Sequence, residues 1–124
     1  MIMKKKTPRQ LKKRLDEVFS IWIRMRGAED FNNQCYTCGK TYPVKQLQNG
    51  HFVSRVHTAT RWHPINCQVQ CYACNVLRRG NLSFFAEHLM KDFGPDIIEQ
   101  LNTLSRSLVK MKRDDYERLI EEYS

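Results

Sequence analysis

The sequence predicts a single α+β domain in which a segment of short strands lies between a basic amino-terminal helix and a helical carboxy-terminal region. Three observations predict this class. Apolar residues recur at helical spacing before residue 27, turn residues and short apolar runs fill about 31–70, and helical spacing returns from residue 72. With 124 residues and no long linker, the chain suits one domain, comprising an arm and helix (1–30), a core (31–82) and helices (83–124).

The first predicted helix runs from about Pro8 to Arg26. Its apolar stripe, which would pack on the core and leave a Lys/Arg face exposed, consists of Leu11, Leu15, Val18, Phe19, Trp22 and Ile23. Thr7 is a candidate cap, because a hydroxyl at that place can accept a hydrogen bond from a backbone N–H of the first turn, and Pro8 suits that turn. Gly27 would end the helix.

The middle segment is predicted to hold short strands. Asn49-Gly50 is typical of a tight hairpin turn, so the three residues from His51 to Val53 would form the strand that follows the turn. Residues 68–70 alternate weakly, and the pattern becomes helical from Tyr72.

Three helices are expected after residue 82. Ser83 would cap the first, which would end at Gly94, and Pro95 would open the second. Asp114 or Asp115 would begin the third. The apolar positions of the last two helices are Ile97, Ile98, Leu101, Leu104, Leu108, Tyr116, Leu119, Ile120 and Tyr123.

The charge of the chain indicates a polyanionic partner, most simply nucleic acid. Lys and Arg number 21 against 13 Asp and Glu, a net charge of +8. The net charge is +7 over residues 1–26, +4 over 27–82 and −3 over 83–124, so we expect the first two segments to face the polyanion. The lysines expected to contact it are Lys4, Lys5, Lys6, Lys12 and Lys13.

Membrane proteins and exported proteins are not expected. No apolar run approaches the roughly 18 residues of a membrane helix. The basic start of the chain, residues 1–6, is not followed by the apolar run of a signal peptide. We therefore expect the cytoplasm as location, where cysteine pairs are read as metal ligands before disulfides.

Two C-x-x-C pairs predict a structural zinc site. Cys35 and Cys38 form the first pair, Cys71 and Cys74 form the second, and 32 residues lie between the two pairs. Two residues between thiolates let one tight turn present both sulfurs to an ion, and two such turns complete a tetrahedron with no open position. Redox pairs are the alternative, although neither lies in a βαβ pattern. Cys67 could compete as a ligand or be a small buried apolar residue.

Three polar side chains are expected around this metal-stapled segment. His51 follows the predicted turn, Asn66 precedes the second cysteine pair, and Asn75 directly follows Cys74. The order His, Asn, Cys-x-x-Cys-Asn resembles that of the HNH, or ββα-metal, nucleases. In that family a β-hairpin carries a base histidine and the following helix carries a metal ligand.

A longer series of motifs resembles the phage NinG (Rap) recombination nucleases. The resemblance covers about residues 20–81, and it rests on Trp22-Ile23-Arg24, Cys35-Tyr-Thr-Cys38-Gly39-Lys40, Gly50-His51-Phe52-Val53-Ser54-Arg55, Arg61-Trp62, Asn66, Gln70-Cys71-Tyr-Ala-Cys74-Asn75 and Gly80-Asn81-Leu82. The resemblance implies a metal-dependent endonuclease that is selective for branched DNA, such as Holliday junctions and D-loops, in a bacterial host cell. It also implies a zinc-stapled ββα-metal (HNH-like) core.

The resemblance, together with the chemistry of phosphodiester hydrolysis, assigns roles to the three polar residues. His51 would be the general base, because its pKa lies near neutrality. Asn75 would bind a catalytic Mg²⁺ or Mn²⁺ through its hard amide oxygen. Asn66 would hold the loop and orient His51.

Two features of the expected site are left open. Many HNH nucleases have a metal-binding Asp before the histidine where this chain has Gly50, so His57, His63 or a carboxylate could complete the metal shell. The arginines that could clamp phosphates are Arg55, Arg61, Arg78 and Arg79, and the sequence does not rank them.

The expected partner is DNA, branched or containing a junction, with a second copy of the chain and other recombination proteins as further candidates. The acidic carboxy-terminal helices could form the dimer interface. Two alternatives remain open: an HNH restriction, homing or nicking enzyme acting on duplex DNA, and a non-catalytic zinc-ribbon module that only binds nucleic acid.

Overall fold

The fold is α+β, as the sequence predicts, in a computed structural model that describes residues 5–124. The helices are α1 (Pro8–Met25), α2 (Thr58–Arg61), α3 (Leu82–Phe93), α4 (Ile97–Ser105) and α5 (Arg113–Tyr123). The strands are β1 (Asn32–Gln34), β2 (Thr41–Pro43), β3 (Leu47–His51) and β4 (Cys67–Cys71). A 3₁₀ turn (Val44–Gln46) precedes β3, and a π-helical turn (Ala73–Leu77) follows β4.

The strands form two separate antiparallel pairs. β1 pairs with β2, with Asn33 opposite Tyr42. β3 pairs with β4, so that Leu47 lies opposite Cys71 and His51 lies opposite Cys67. The β3–β4 pair therefore fixes where His51 stands relative to the second cysteine pair.

The local signals at the two ends of α1 are confirmed. The Thr7 hydroxyl accepts a hydrogen bond from the Gln10 N–H at 3.2 Å, while the Gln10 side chain accepts one from the Thr7 N–H. The chain leaves the helix through Gly27, whose φ of +77° suits a residue without a Cβ. Arg26 then donates to the carbonyls of Pro64 and Cys67, which ties the end of α1 to the start of β4.

Two apolar clusters hold the elements together. The first joins the stripe of α1 to β3, β4 and α5, and it includes Leu15, Phe19, Leu47, Val69 and Tyr116. The second joins α3 to α4 through Phe85, Leu89, Ile97 and Leu101. The helix α5 lies directly on α1, where the Tyr123 ring meets the Phe19 ring edge-to-face at 4.8 Å. The apolar side of this acidic helix is therefore covered by α1 of the same chain.

The hairpin turn predicted at Asn49-Gly50 is wrong. Both residues lie inside β3, and His51 is the last residue of that strand rather than the first of the next one. The glycine has a different purpose, since a Cβ at residue 50 would lie 1.9 Å from Oε1 of Gln70. Gln70 is fully buried and donates to Thr37 Oγ1 and the Gly80 carbonyl, so it cannot move aside freely.

Three predictions at the helix ends are also corrected. The residue before α3 is Asn81, with φ of +49°, so Ser83 lies inside the helix. Pro95 lies in the turn before α4 rather than in its first turn, and Leu108 lies beyond α4 with its side chain fully exposed. The two helix starts therefore differ by one or two residues from those that the nearest capping residue or proline indicates.

The Gly50→Ala variant should lower the free energy of unfolding by about 1–3 kcal/mol, because the new methyl group overlaps the Gln70 side chain. Chemical denaturation of the full chain measures this effect. The same change in a Gln70→Ala background should cost less, because the overlap is gone. An equal effect in both backgrounds would show that Gln70 is not what restricts residue 50.

Candidate functional site

The four cysteines of the two C-x-x-C pairs come together and could hold a structural zinc ion. Their sulfur atoms all lie within 4.8 Å of one another, and the Sγ atoms of Cys38 and Cys71 are 3.8 Å apart. Tetrahedral zinc with Zn–S bonds of about 2.3 Å places its sulfur ligands roughly 3.8 Å from each other. The geometry of the cluster thus fits the ion that the sequence predicts.

The backbone around the cluster is shaped for thiolate ligands. Gly39, with φ of +77°, closes the first turn by donating its N–H to the Cys35 carbonyl at 2.9 Å. The Arg78 guanidinium and the Asn81 amide both donate to the sulfur of Cys74, at 3.7 and 3.6 Å. Such donors stabilise the negative charge that four thiolates would place around one divalent ion.

Hydrogen bonds also lower the pKa of the Cys35 thiol. Burial raises this pKa, but hydrogen bonds from the Thr37 hydroxyl and from nearby backbone N–H groups outweigh burial and lower it to about 6. A thiol with such a pKa is deprotonated at neutral pH, which is the form that binds metal. Burial raises the pKa of Cys38 and of Cys71, so Cys35 is the more readily ionised of these three thiols.

Cys67 lies outside the cluster and behaves as a buried thiol. Its side chain is fully buried, and its Sγ donates to the Arg61 carbonyl at 3.3 Å. Burial raises the pKa of Cys67 to about 12, so it remains a neutral thiol. The sequence-based reading of Cys67 as a small core residue agrees with this environment.

A cavity of about 260 Å³ lies between α1, β3 and the turn after β4. It is lined by Asp16, Ser20, Arg24, Leu47, Gln48, Asn49, His51, Arg55 and Asn75. Two of the three polar residues that the sequence singles out, His51 and Asn75, therefore share one cavity although 23 residues lie between them.

His51 is half-buried, and one ring nitrogen is engaged. Its Nε2 lies 2.8 Å from the carbonyl oxygen of Arg61. Because a carbonyl can only accept, Nε2 carries the proton and Nδ1 keeps the lone pair that can accept one. Burial lowers the pKa of His51 below its usual 6.5; the charges of Arg55 and Arg61 lower it further, while the Arg61 carbonyl and Asp16 oppose the shift.

Asn66 is predicted to orient His51, but within residues 5–124 no hydrogen bond joins the two side chains. The Arg61 carbonyl is the group that contacts the His51 ring. Asn66 is fully buried, and its amide instead forms two hydrogen bonds with the backbone of Val53, at 2.8 and 3.0 Å. Its Nδ2 also donates to the Thr60 carbonyl at 3.1 Å. Asn66 thus closes the loop between β3 and β4, as the sequence predicts.

Asn75 lies in the π-helical turn, one residue after the last cysteine of the cluster. Its Nδ2 donates to Oε1 of Gln48 on β3 at 2.7 Å, which fixes the plane of the amide. Among the described residues its Oδ1 receives no hydrogen bond, so this oxygen can serve as a ligand for a hard cation.

One family model matches the chain, that of the bacteriophage lambda NinG protein, over residues 2–124. The chain belongs to the NinG family. No curated protein and no solved structure matches it. Membership of the NinG family supports a phage protein with a part in recombination. Within residues 5–124, none of the helices of this NinG protein combines the length and the apolar character needed to cross a bilayer.

The basic residues predicted to bind nucleic acid have different environments in the NinG chain. Arg55 is exposed at the mouth of the cavity, Arg78 and Arg79 are exposed after the π-helical turn, and Lys5, Lys6 and Lys13 are exposed in or before α1. Lys12 is half-buried, and Lys4 lies outside the described residues.

Arg61 is the exception among the predicted phosphate-binding arginines. Its side chain is only 10 % exposed and forms an ion pair with Asp16, with Nη2 2.6 Å from Oδ2. Its Nη1 donates to the Arg55 carbonyl at 3.0 Å. Because Nε, Nη1 and Nη2 of Arg61 all donate to groups of the protein, Arg61 stabilises the fold of the site and is not placed to bind a phosphate in this conformation.

The sequence analysis did not predict that side chains of α1 line the cavity. Asp16, Ser20 and Arg24 are spaced by four residues and therefore share one face of the helix, beside the apolar stripe. The available signal was that Asp16 is one of only two acidic residues among the first 26 residues.

Replacing any cysteine of the cluster, for example Cys71→Ser, should remove the metal and unfold the middle segment, because structural zinc supplies roughly 10–16 kcal/mol of binding free energy in small domains. Metal analysis of the purified protein and circular dichroism measure the two effects. Cys67→Ala is the matched control, and it should retain one zinc per chain. Metal loss from Cys67→Ala, or its retention in Cys71→Ser, would contradict the assigned ligands.

Proposed function

We propose that the protein is a metal-dependent DNA endonuclease that hydrolyses phosphodiester bonds in branched recombination intermediates, such as Holliday junctions and D-loops. The observation that carries the proposal is the cavity shared by His51 and Asn75, in which the histidine has a defined accepting nitrogen. The NinG family supports the link to recombination. The succession of β3, β4 and a helical turn beside a cysteine cluster supports the proposal of an HNH-like core.

His51 would act as the general base that takes a proton from the attacking water. Its Nδ1 is the basic nitrogen, since Nε2 donates to the Arg61 carbonyl. The lowered pKa keeps the ring neutral, and so able to accept a proton, at neutral pH. General base catalysis contributes roughly 10²–10⁴-fold, so other groups must stabilise the charge that develops at phosphorus.

A divalent cation would bind at Asn75, whose amide oxygen suits Mg²⁺ or Mn²⁺. Such an ion supplies charge stabilisation at the phosphate and at the leaving oxygen. Gly50 leaves no carboxylate at the position where many HNH nucleases have one, and the Gln70 side chain occupies the space such a carboxylate would need. His57 and His63, the other candidate ligands, do not line the cavity. The protein share of the proposed metal shell is therefore small, and weak affinity for the free ion is expected.

The charges around the cavity favour a phosphate. Arg24 and Arg55 line it, and the Asp16 carboxylate is already paired with Arg61. Arg78 and Arg79 lie exposed three and four residues after Asn75, where they could contact the backbone of a DNA arm. These positions support DNA rather than a small anion as the substrate.

The His51→Ala variant should lose DNA cleavage by about 10²–10⁴-fold with Mg²⁺ or Mn²⁺ present, and it should bind DNA as tightly as the wild type. Single-turnover cleavage and a gel-shift assay on the same substrate separate the two effects. The control is His88→Gln on α3, away from the cavity, which should cut at the wild-type rate. Persistent cleavage by pure His51→Ala protein would rule out the base assignment.

A four-way junction and a linear duplex of equal length test the substrate. We expect faster cleavage of the junction. Equal rates on both would refute selectivity for branched DNA and favour an HNH enzyme of the restriction or nicking kind. DNA binding by wild-type protein with no cleavage of any substrate would favour the non-catalytic zinc module.

The pH dependence of cleavage should follow the His51 pKa. A base must be unprotonated, so kcat/KM, which reports the ionisation of the free protein, should rise with pH and level off above the folded-state pKa of His51. Because burial lowers that pKa from 6.5, the midpoint of the rise should lie below pH 6.5. A midpoint well above that pH would mean that another group limits the rate.

A further inference from the structure

We propose that Asp16 is a positioning residue for His51, and that it acts through a clamp formed with Arg61 and Trp62. Asp16 Oδ1 accepts from Arg61 Nε at 3.0 Å and from Trp62 Nε1 at 2.9 Å, while Oδ2 accepts from Arg61 Nη2 at 2.6 Å. The carbonyl of Arg61 then holds His51 Nε2. The inference rests on the proposed function, in which His51 is the base.

The clamp acts on an element that cannot hold its own position. The helix α2 has four residues, Thr58–Arg61, and its amino-terminal cap has no side-chain hydrogen bond. One helical turn is not stable by itself, so contacts with other elements must hold it. At its carboxy-terminal end those contacts include the three hydrogen bonds to Asp16 on α1, a helix of 18 residues that packs into the core. The Asn66 amide, which donates to the Thr60 carbonyl, and the Cys67 thiol, which donates to the Arg61 carbonyl, add to them from the β4 side.

The surroundings make the clamp stiff. The Arg61 and Asp16 side chains are 10 % and 30 % exposed, and the pair is bidentate, which orients both groups more strictly than a single contact does. The Arg61 guanidinium lies 5.4 Å from the Trp62 ring centroid, and that ring meets Tyr116 of α5 edge-to-face. Arg61 Nη1 also donates to the Arg55 carbonyl, so the clamp reaches both sides of α2.

The position of the Arg61 carbonyl matters because it decides which nitrogen of His51 is basic. While the carbonyl accepts from Nε2, the proton stays on Nε2 and Nδ1 remains the acceptor. If α2 drifts, the ring loses this partner and either nitrogen can carry the proton. A mixture of tautomers leaves part of the molecules without a base at the correct atom.

The first test reads the tautomer of His51 directly. In the zinc-loaded full chain at about pH 7.5, the ¹⁵N shifts of the His51 ring distinguish a proton on Nε2 from one on Nδ1, and the His51→Ala spectrum assigns the signal. We expect pure Nε2–H in the wild type and a mixture in Asp16→Asn. Glu17→Gln is the matched control, because it removes the same charge from the next residue, whose carboxylate is 53 % exposed.

The second test is kinetic and uses the same variants on a four-way junction. Asp16→Asn should lower kcat by about 10–100-fold with KM unchanged, as loss of an outer hydrogen-bond partner of a functional group commonly does. Glu17→Gln should keep the wild-type kcat. A merely structural ion pair would change the melting temperature and leave both the tautomer and kcat as in the wild type.

The outcomes separate this proposal from the proposed function. If wild-type protein cuts no DNA, the nuclease proposal fails, and the tautomer measurement alone decides the role of Asp16. Pure Nε2–H in folded Asp16→Asn, or equal losses in Glu17→Gln, overturns the positioning role. If Asp16→Asn does not fold, Trp62→Phe replaces it, because this change removes one donor to Asp16 and keeps an aromatic ring. The His51 tautomer and kcat of Trp62→Phe are then measured in the same way.

Discussion

The convergence of four cysteine sulfurs is the constraint on which the rest of the structure depends. The two pairs are separated by 32 residues and still lie within 4.8 Å of one another. Cys71 ends β4 and stands opposite Leu47, the first residue of β3, so the cluster anchors one end of the strand pair. His51 is then placed by register, opposite Cys67 at the other end. Asn75 is placed by sequence, one residue beyond the last sulfur.

The helix α1 contributes more than charge to the site. Its buried residues Leu15, Phe19 and Ile23 pack into the core, and the adjacent face with Asp16, Ser20 and Arg24 forms one wall of the cavity. Arg26, at the end of the helix, binds carbonyls at the start of β4. One amphipathic helix therefore supplies core contacts, cavity polarity and a link to the strand pair, which ties the integrity of the site to the packing of the whole chain.

Sequence reasoning predicted the features that depend on local chemistry. Thr7 and Gly27 mark the ends of α1 because capping involves only neighbouring residues, and the cysteine spacing predicted the cluster because each pair is a local turn. The features that sequence reasoning did not foresee depend on distant partners. Asn49-Gly50 has the composition of a turn, but the glycine is required by Gln70 across the strand pair. Arg61 is basic like its neighbours, but Asp16, 45 residues away, engages it.

The composition of the cavity suggests how the proposed nuclease could work without the usual metal-binding carboxylate. Besides His51, its polar lining consists of the amides Gln48, Asn49 and Asn75, two arginines, Ser20, and Asp16, whose charge is offset by Arg61. Such a surface attracts phosphate and holds a free divalent cation poorly, since hard cations prefer several anionic oxygens. In the proposed reaction the scissile phosphate would itself provide those oxygens, so that cation and DNA bind together. Coupled binding of this kind would confine the assembled metal site to the DNA complex, and the protein alone would need only one amide oxygen and one oriented histidine.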